Sequence, residues 1–138
     1  MFSSTTTVRV RYAETDQMGY VYYGNYAQYF EVGRVEAMRQ LGYSYKDIEE
    51  SGVIMPVLDL QVKFIKPGRY DEELTIKTTI KELPGVRIRF EYEINDEQGI
   101  LICTGETSLV FLDPERNKPC RAPEGILDAL RPYIKDPA

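Results

Sequence analysis

The residues able to do chemistry crowd into one stretch, Arg11-Tyr-Ala-Glu-Thr-Asp-Gln-Met-Gly-Tyr-Val-Tyr-Tyr-Gly-Asn-Tyr26. Asp16 sits there in a Thr-Asp-Gln-Met-Gly turn, between the end of one regular element and the start of another. A carboxylate so placed is either a turn former, through hydrogen bonds to nearby backbone, or a nucleophile or general base. Tyr20, Tyr22, Tyr23, Tyr26 and Tyr29 surround it in sequence, and they are equally fit for packing, for an interface or for a pocket. The chain contains no histidine, which excludes Ser-His-Asp and Cys-His catalysis, histidine zinc sites and histidine-based dehydration. Any reaction must run on carboxylates, tyrosines, lysines or backbone amides.

Periodicity supplies the frame around that stretch. Val8, Val10 and Tyr12 alternate with Arg9 and Arg11, as in a half-buried strand. Asn25 is placed to cap a helix with its side-chain oxygen. Tyr26, Tyr29, Phe30, Gly33, Ala37 and Leu41 then follow at spacings of three and four, an apolar stripe that ends near Gly42. Arg34 and Glu31 fall off that stripe and read as an exposed pair. A short helix is expected over Tyr45 to Ser51. From Val53 the period becomes two, giving four long strands punctuated by Pro67-Gly68, Pro84-Gly85 and Asn95 to Gly99. The tight turns predict that these four strands are antiparallel neighbours. Cys103, Gly105 and Thr107 leave one strand face small, and Gly105 is the expected partner of helical Gly33. Pro114 to Pro123 reads as loop, with a short closing helix through Ile126, Leu127, Leu130 and Ile134 whose length Pro132 limits.

Length and composition bound the rest. The 138 residues fit a single domain, 1–138, with 43% hydrophobic and 28% charged residues. The formal net charge of −5, without a basic run, argues against nucleic acid. Cys103 and Cys120 read as reduced thiols in a chain long enough to need no disulfide. Met1 to Thr7 lacks the apolar run of a secretory signal, and no stretch reaches the ~20 apolar residues of a membrane span. A cytoplasmic protein away from membranes is expected, with no metal and no cofactor. One helix across a curved antiparallel sheet is an α+β arrangement. It leaves apolar edges for a second subunit, so a homo-oligomer is expected, dimer or tetramer.

The string Tyr12-x-x-Thr15-Asp16-x-x-Gly19-x-Val21-Tyr22-x-x-x-Tyr26-x-x-x-Phe30-Glu31-x-x-Arg34 resembles the signature of the 4-hydroxybenzoyl-CoA thioesterase group. The resemblance implies the hotdog fold, a long central helix wrapped by a curved antiparallel sheet of five or six strands. It also implies hydrolysis of an acyl-CoA thioester, coenzyme A being part of the substrate, at a site on a subunit interface. Asp16 would be the catalytic carboxylate, as nucleophile or general base, and the backbone N–H of Tyr23 would polarise the thioester carbonyl. Gly19, Tyr20, Tyr22 and Glu31 would line the substrate, and Arg87 and Arg89 would meet the coenzyme A phosphates. Many relatives carry histidine where Tyr23 stands, so the tyrosine favours an aromatic or longer acyl group. The alternative is a hotdog module or sensor that binds acyl-CoA or acyl carrier protein without turnover. A structural subunit with a tyrosine-rich assembly surface is a third reading.

Overall fold

Ser3 to Val8 is a run of hydroxyl and β-branched side chains, types that favour extended backbone. In the computed structural model, which describes residues 1–135, it forms β1, Phe2–Arg9. Phe2 and Ser4 are buried while Ser3 and Thr5 are exposed, the alternation of a half-covered strand. This strand begins well before the Val8–Tyr12 alternation and ends short of Tyr12. Its partner strand supplies no residue beyond the Arg9↔Glu73 pair, and the Glu14 side chain then draws the chain into a 3-10 turn, Tyr12–Glu14. Tyr12, expected inside, is 79% exposed.

A second 3-10 turn, Tyr23–Asn25, leads directly into α1, Tyr26–Leu41. Asn25 occupies the cap position, but its backbone is already helical and its side chain does not cap. The amide nitrogen Nδ2 instead donates to the Glu14 carbonyl at 2.8 Å. The helix stops at Gly42, whose φ of 91° gives the left-handed closure that a residue with Cβ resists. A short helix, α2, covers Tyr45–Glu50.

Five antiparallel strands form the main sheet: β1, β2 (Val57–Phe64), β3 (Glu73–Ile80), β4 (Arg87–Asn95) and β5 (Leu101–Val110). Their order is β1-β3-β4-β5-β2. The expectation that the last four strands are successive neighbours therefore fails at β2, which pairs with β5 at the far edge. The segment 65–72 is longer than a hairpin loop and lets the chain cross to the other side of the sheet. A two-stranded ribbon, β6 (Leu112–Asp113) with β7 (Lys118–Pro119), replaces part of the expected loop, and α3, Glu124–Leu130, closes the fold.

The core lies between α1 and one face of the sheet. Phe30 stacks on Tyr92 with centroids 4.4 Å apart, and Leu74, Ile76, Ile88, Phe90 and Ile94 are fully buried. Full burial of each such side chain contributes roughly 1.5–3 kcal/mol. Gly33 and Gly105 both permit close approach, yet not to each other. A Cβ on Gly33 would lie 2.6 Å from Thr78 Oγ1 and 2.8 Å from Ile76 Cγ2 on β3, whereas one on Gly105 would lie 2.4 Å from the Phe30 ring. The helix crosses the sheet so that its glycine meets β3 and its phenylalanine meets β5.

The other edge is less covered. Leu60 and Phe64 on β2 remain 44% and 52% exposed although they pair with inward-facing Thr107 and Cys103. Among the described residues no helix is long and apolar enough to cross a membrane.

Candidate active site

Asp16 and Tyr20 close a tight turn. The Asp16 N–H donates to the Tyr20 carbonyl at 2.8 Å and the Gly19 N–H to the Asp16 carbonyl at 3.0 Å. Gly19 adopts a φ of 76°, and the turn needs it there. The side-chain oxygen Oδ1 accepts the Met18 N–H at 2.8 Å and the Tyr20 N–H at 3.3 Å. Both bonds fall on Oδ1, so Oδ2 carries none among the described residues. Asp16 itself is half-buried.

The turn is moored at both sides. Thr15 bridges Val21, and Tyr20 bridges Arg69. Val21 N–H reaches the Gly68 carbonyl at 2.8 Å, and Tyr70 N–H the Gly19 carbonyl at 3.2 Å. The Arg69 guanidinium lies 4.9 Å above the Tyr20 ring, a cation–π contact. Tyr22 and Tyr23 hold each other at 4.6 Å, both exposed. The Tyr23 N–H heads the 3-10 turn that enters α1, a position without an intrahelical acceptor. Asp16, Gly19 and Tyr20 thus share one turn, and Tyr22 and Tyr23 follow it at the entry to α1.

Glu14, which sequence reasoning passed over, ties these parts together. Its carbonyl accepts both the Tyr22 N–H and Asn25 Nδ2, each at 2.8 Å. Its buried carboxylate accepts the Arg11 N–H at 2.8 Å and the Tyr29 hydroxyl at 3.1 Å, and it pairs with the Arg11 guanidinium at 3.2 Å. Burial alone would raise its pKa. The Arg11 N–H, the Tyr29 hydroxyl and the Arg11 charge outweigh burial and hold it below the usual glutamate value. Burial, with the Glu14 charge behind it, pushes the Tyr29 hydroxyl up. The signal was present in the sequence as an acid two residues before Asp16, but an isolated Glu has no periodicity to mark it.

Arg34 corrects a further expectation. It is not an exposed partner of Glu31 but 8% exposed, the only cation in the buried set of the described residues. Its position, four residues after Phe30 and eight after Tyr26, lies on the buried face of α1. Its Nε donates to the Tyr45 hydroxyl at 2.8 Å. Glu31 stays exposed.

Arg87 and Arg89 do not gather with the others within the chain. Both lie on the exposed face of β4, at the end where Arg87 pairs with Val110. The Asp16 turn docks by Gly68 near the opposite end, where Ile65 N–H bonds the Ile102 carbonyl. Arg89 is engaged with Glu106 at 2.6 Å.

Comparison with known proteins decides the family. The profile of the thioesterase-like superfamily matches residues 10–130. The chain belongs to this superfamily. As such it is a thioester hydrolase, and the hotdog architecture expected from the signature is the one observed. YneP of Bacillus subtilis, named for acyl-CoA thioesterase activity, is 36% identical over 98% of both chains. The acyl-CoA thioester hydrolase YbgC of Escherichia coli is 31% identical over 87% of this chain and 90% of its own. Among solved structures, the DHNA-CoA thioesterase of Staphylococcus aureus is 41% identical, with a TM-score of 0.84 over 96% of this chain and 84% of its own.

Proposed function

We propose that this thioesterase, a single domain spanning 1–138, hydrolyses the thioester of an acyl-CoA with Asp16 as its catalytic carboxylate. The observation that carries the reading is the seating of the Asp16 turn, which is moored to Gly68 and Tyr70 and lies in the segment that leads to the Tyr23 N–H at the entry to α1, with Oδ2 unbonded among the described residues. Oδ2 would attack the thioester carbonyl or take a proton from water, and coenzyme A would leave as the thiolate. The Tyr23 N–H, at the head of the turn into α1, would receive the negative charge developing on the carbonyl oxygen. One such donor is typically worth ~3 kcal/mol of barrier. Gly19 gives the substrate backbone rather than side chain to pass, and Tyr20 and Tyr22 offer ring faces to the acyl or pantetheine part. Glu31, exposed on the first turns of the same helix, would line the acyl side.

The exposed apolar side chains of β2 favour a second copy of the chain at that edge, so the working form would be a homo-oligomer with its sites at the interface. Arg87 and Arg89, at the far end of their own sheet, would meet coenzyme A phosphates across a subunit boundary. No metal or cofactor enters this chemistry. The similarity to YneP, YbgC and the DHNA-CoA thioesterase supports acyl-CoA as the substrate and leans towards an aromatic acyl group.

Thiol release from a panel running from acetyl-CoA and palmitoyl-CoA to benzoyl-CoA and 1,4-dihydroxy-2-naphthoyl-CoA tests the reading. Turnover lost in Asp16→Asn supports it. Turnover within a few-fold of wild type in folded Asp16→Asn would remove Asp16 from the reaction, and a panel without turnover would favour the binding module.

A further inference from the structure

Tyr26 and Tyr29, three residues apart on the first turns of α1, are each only 2% exposed. Their rings meet edge to face at 5.8 Å, and Tyr26 also meets Phe64 at 5.3 Å. Phenylalanine would pack as well at either position, so the hydroxyls need a reason of their own. A hydroxyl taken out of water costs free energy unless it is bonded. Both are bonded, and neither to its own helix.

The two bonds run to opposite arms of one hairpin. Residues 14–22 close on themselves: the Tyr22 N–H donates to the Glu14 carbonyl, Thr15 bridges Val21, and the Asp16 N–H donates to the Tyr20 carbonyl. On the first arm, the Tyr29 hydroxyl donates to the Glu14 carboxylate at 3.1 Å. On the second arm, Gly68 is the intermediary. Its N–H donates to the Tyr26 hydroxyl at 3.2 Å, and its carbonyl accepts the Val21 N–H at 2.8 Å. The fit is close, since a Cβ on Gly68 would lie 3.1 Å from Val21 Cγ2 and 3.4 Å from the Tyr26 hydroxyl. The Tyr23 N–H heads the turn that runs directly into the same helix. One rigid element therefore follows that amide and carries both hydroxyl ties to the Asp16 hairpin.

We infer that Tyr26 and Tyr29 are positioning residues, whose hydroxyls hold the Asp16 hairpin in register with the Tyr23 N–H at the entry to α1. They act through Gly68 and Glu14 rather than on the substrate. The inference rests on the thioesterase reading for why this register matters, whereas the ties themselves stand apart from it. Misplacing a reacting group by about 1 Å can cost ~10²-fold in rate, even when the substitution lies away from the chemistry.

Tyr26→Phe and Tyr29→Phe each remove one oxygen and keep the ring. Tyr92→Phe is the control, a buried tyrosine whose hydroxyl bonds Thr107 Oγ1 at 2.6 Å within the core. Acyl-CoA turnover, chemical denaturation and amide hydrogen exchange are measured on these variants and on wild type. Tyr26→Phe and Tyr29→Phe should each lower kcat at least about tenfold and leave KM within about threefold. Tyr92→Phe should lose comparable stability and keep kcat within about threefold. Exchange should quicken at the Val21 N–H in Tyr26→Phe and at the Tyr22 N–H in Tyr29→Phe, and at neither in Tyr92→Phe. A kcat near that of wild type in either folded variant, or an equal fall in Tyr92→Phe, would overturn the inference. The two ties are probed separately, so a variant that fails to fold leaves the other to decide. Unchanged exchange at both amides would overturn the inference whatever the turnover. Wild type without turnover would instead sink the thioesterase reading, so the two failures are distinguishable.

Discussion

Asp16 and Asp96 stand in turns with the same hydrogen-bond pattern. Each Oδ1 accepts from the residues two and four positions on, Met18 and Tyr20 in one case and Gln98 and Ile100 in the other. Each backbone N–H donates to the carbonyl four residues later, at 2.8 and 2.9 Å. Gly19 and Gly99 supply matching φ values of 76° and 79°. Local turn chemistry therefore explains both aspartates equally and cannot make one of them catalytic. Their surroundings differ: Asp96 lies in the β4–β5 hairpin, whereas Asp16 lies in the segment that leads into α1.

That pairing provides an internal control. Asp16→Asn and Asp96→Asn keep a side-chain oxygen for the turn and should change stability alike, by less than about 1 kcal/mol. Only Asp16→Asn is expected to depress kcat, by roughly 10²-fold or more. Parallel melting curves and thiol-release rates check this, and equal activity in both variants would count against Asp16.

Glu14 should give the fold a sensitivity to acid. Its folded-state pKa lies below the ordinary 4.5, so its contribution is fully present above that value. It is lost as pH falls from there through the depressed pKa. Denaturant titrations between pH 6 and 3 are expected to show a shallower loss of stability for Glu14→Gln than for wild type. A parallel pair of curves would show that Glu14 does not carry the linkage.

The close approach of α1 to the sheet is intolerant of volume. Gly105→Ala would put a methyl 2.4 Å from the Phe30 ring and 3.0 Å from the Gln61 carbonyl oxygen. Overpacking of this kind costs about 1–3 kcal/mol. Chemical denaturation of Gly105→Ala should show it, and coupling to Phe30→Leu should relieve part of the loss.

Cys103 is fully buried, and burial pushes its thiol up to about 12. It should not react with a thiol reagent at pH 8 in the native protein and should react once the chain is unfolded. Counting modified thiols by mass spectrometry before and after denaturation decides it.

The uncovered edge gives the last expectation. Leu60→Lys should shift a homo-oligomer towards monomer in light scattering, because a charge there opposes apolar contact across β2. An unchanged mass would move the interface elsewhere.

Short-range rules account for the parts of the fold that are legible in the chain. The α1 stripe from Tyr26 to Ala37, its stop at Gly42 and the inward alternation of β3, β4 and β5 are all written in residue spacing. Asp16 was visible because a Thr-Asp-x-x-Gly turn beside a tyrosine cluster is a local motif. Tertiary structure alone decided matters that depend on distant partners. β2 lies beside β5 because the segment 65–72 carries it across the sheet, which no turn signal reveals. Gly33 meets Thr78 and Ile76 rather than Gly105 because the crossing angle of helix and sheet selects the contact. Glu14 and Arg34, both charged, read as surface in a sequence. Only the fold gathers Arg11 and Tyr29 around one, and Tyr45 around the other, at distances that make a buried charge tolerable.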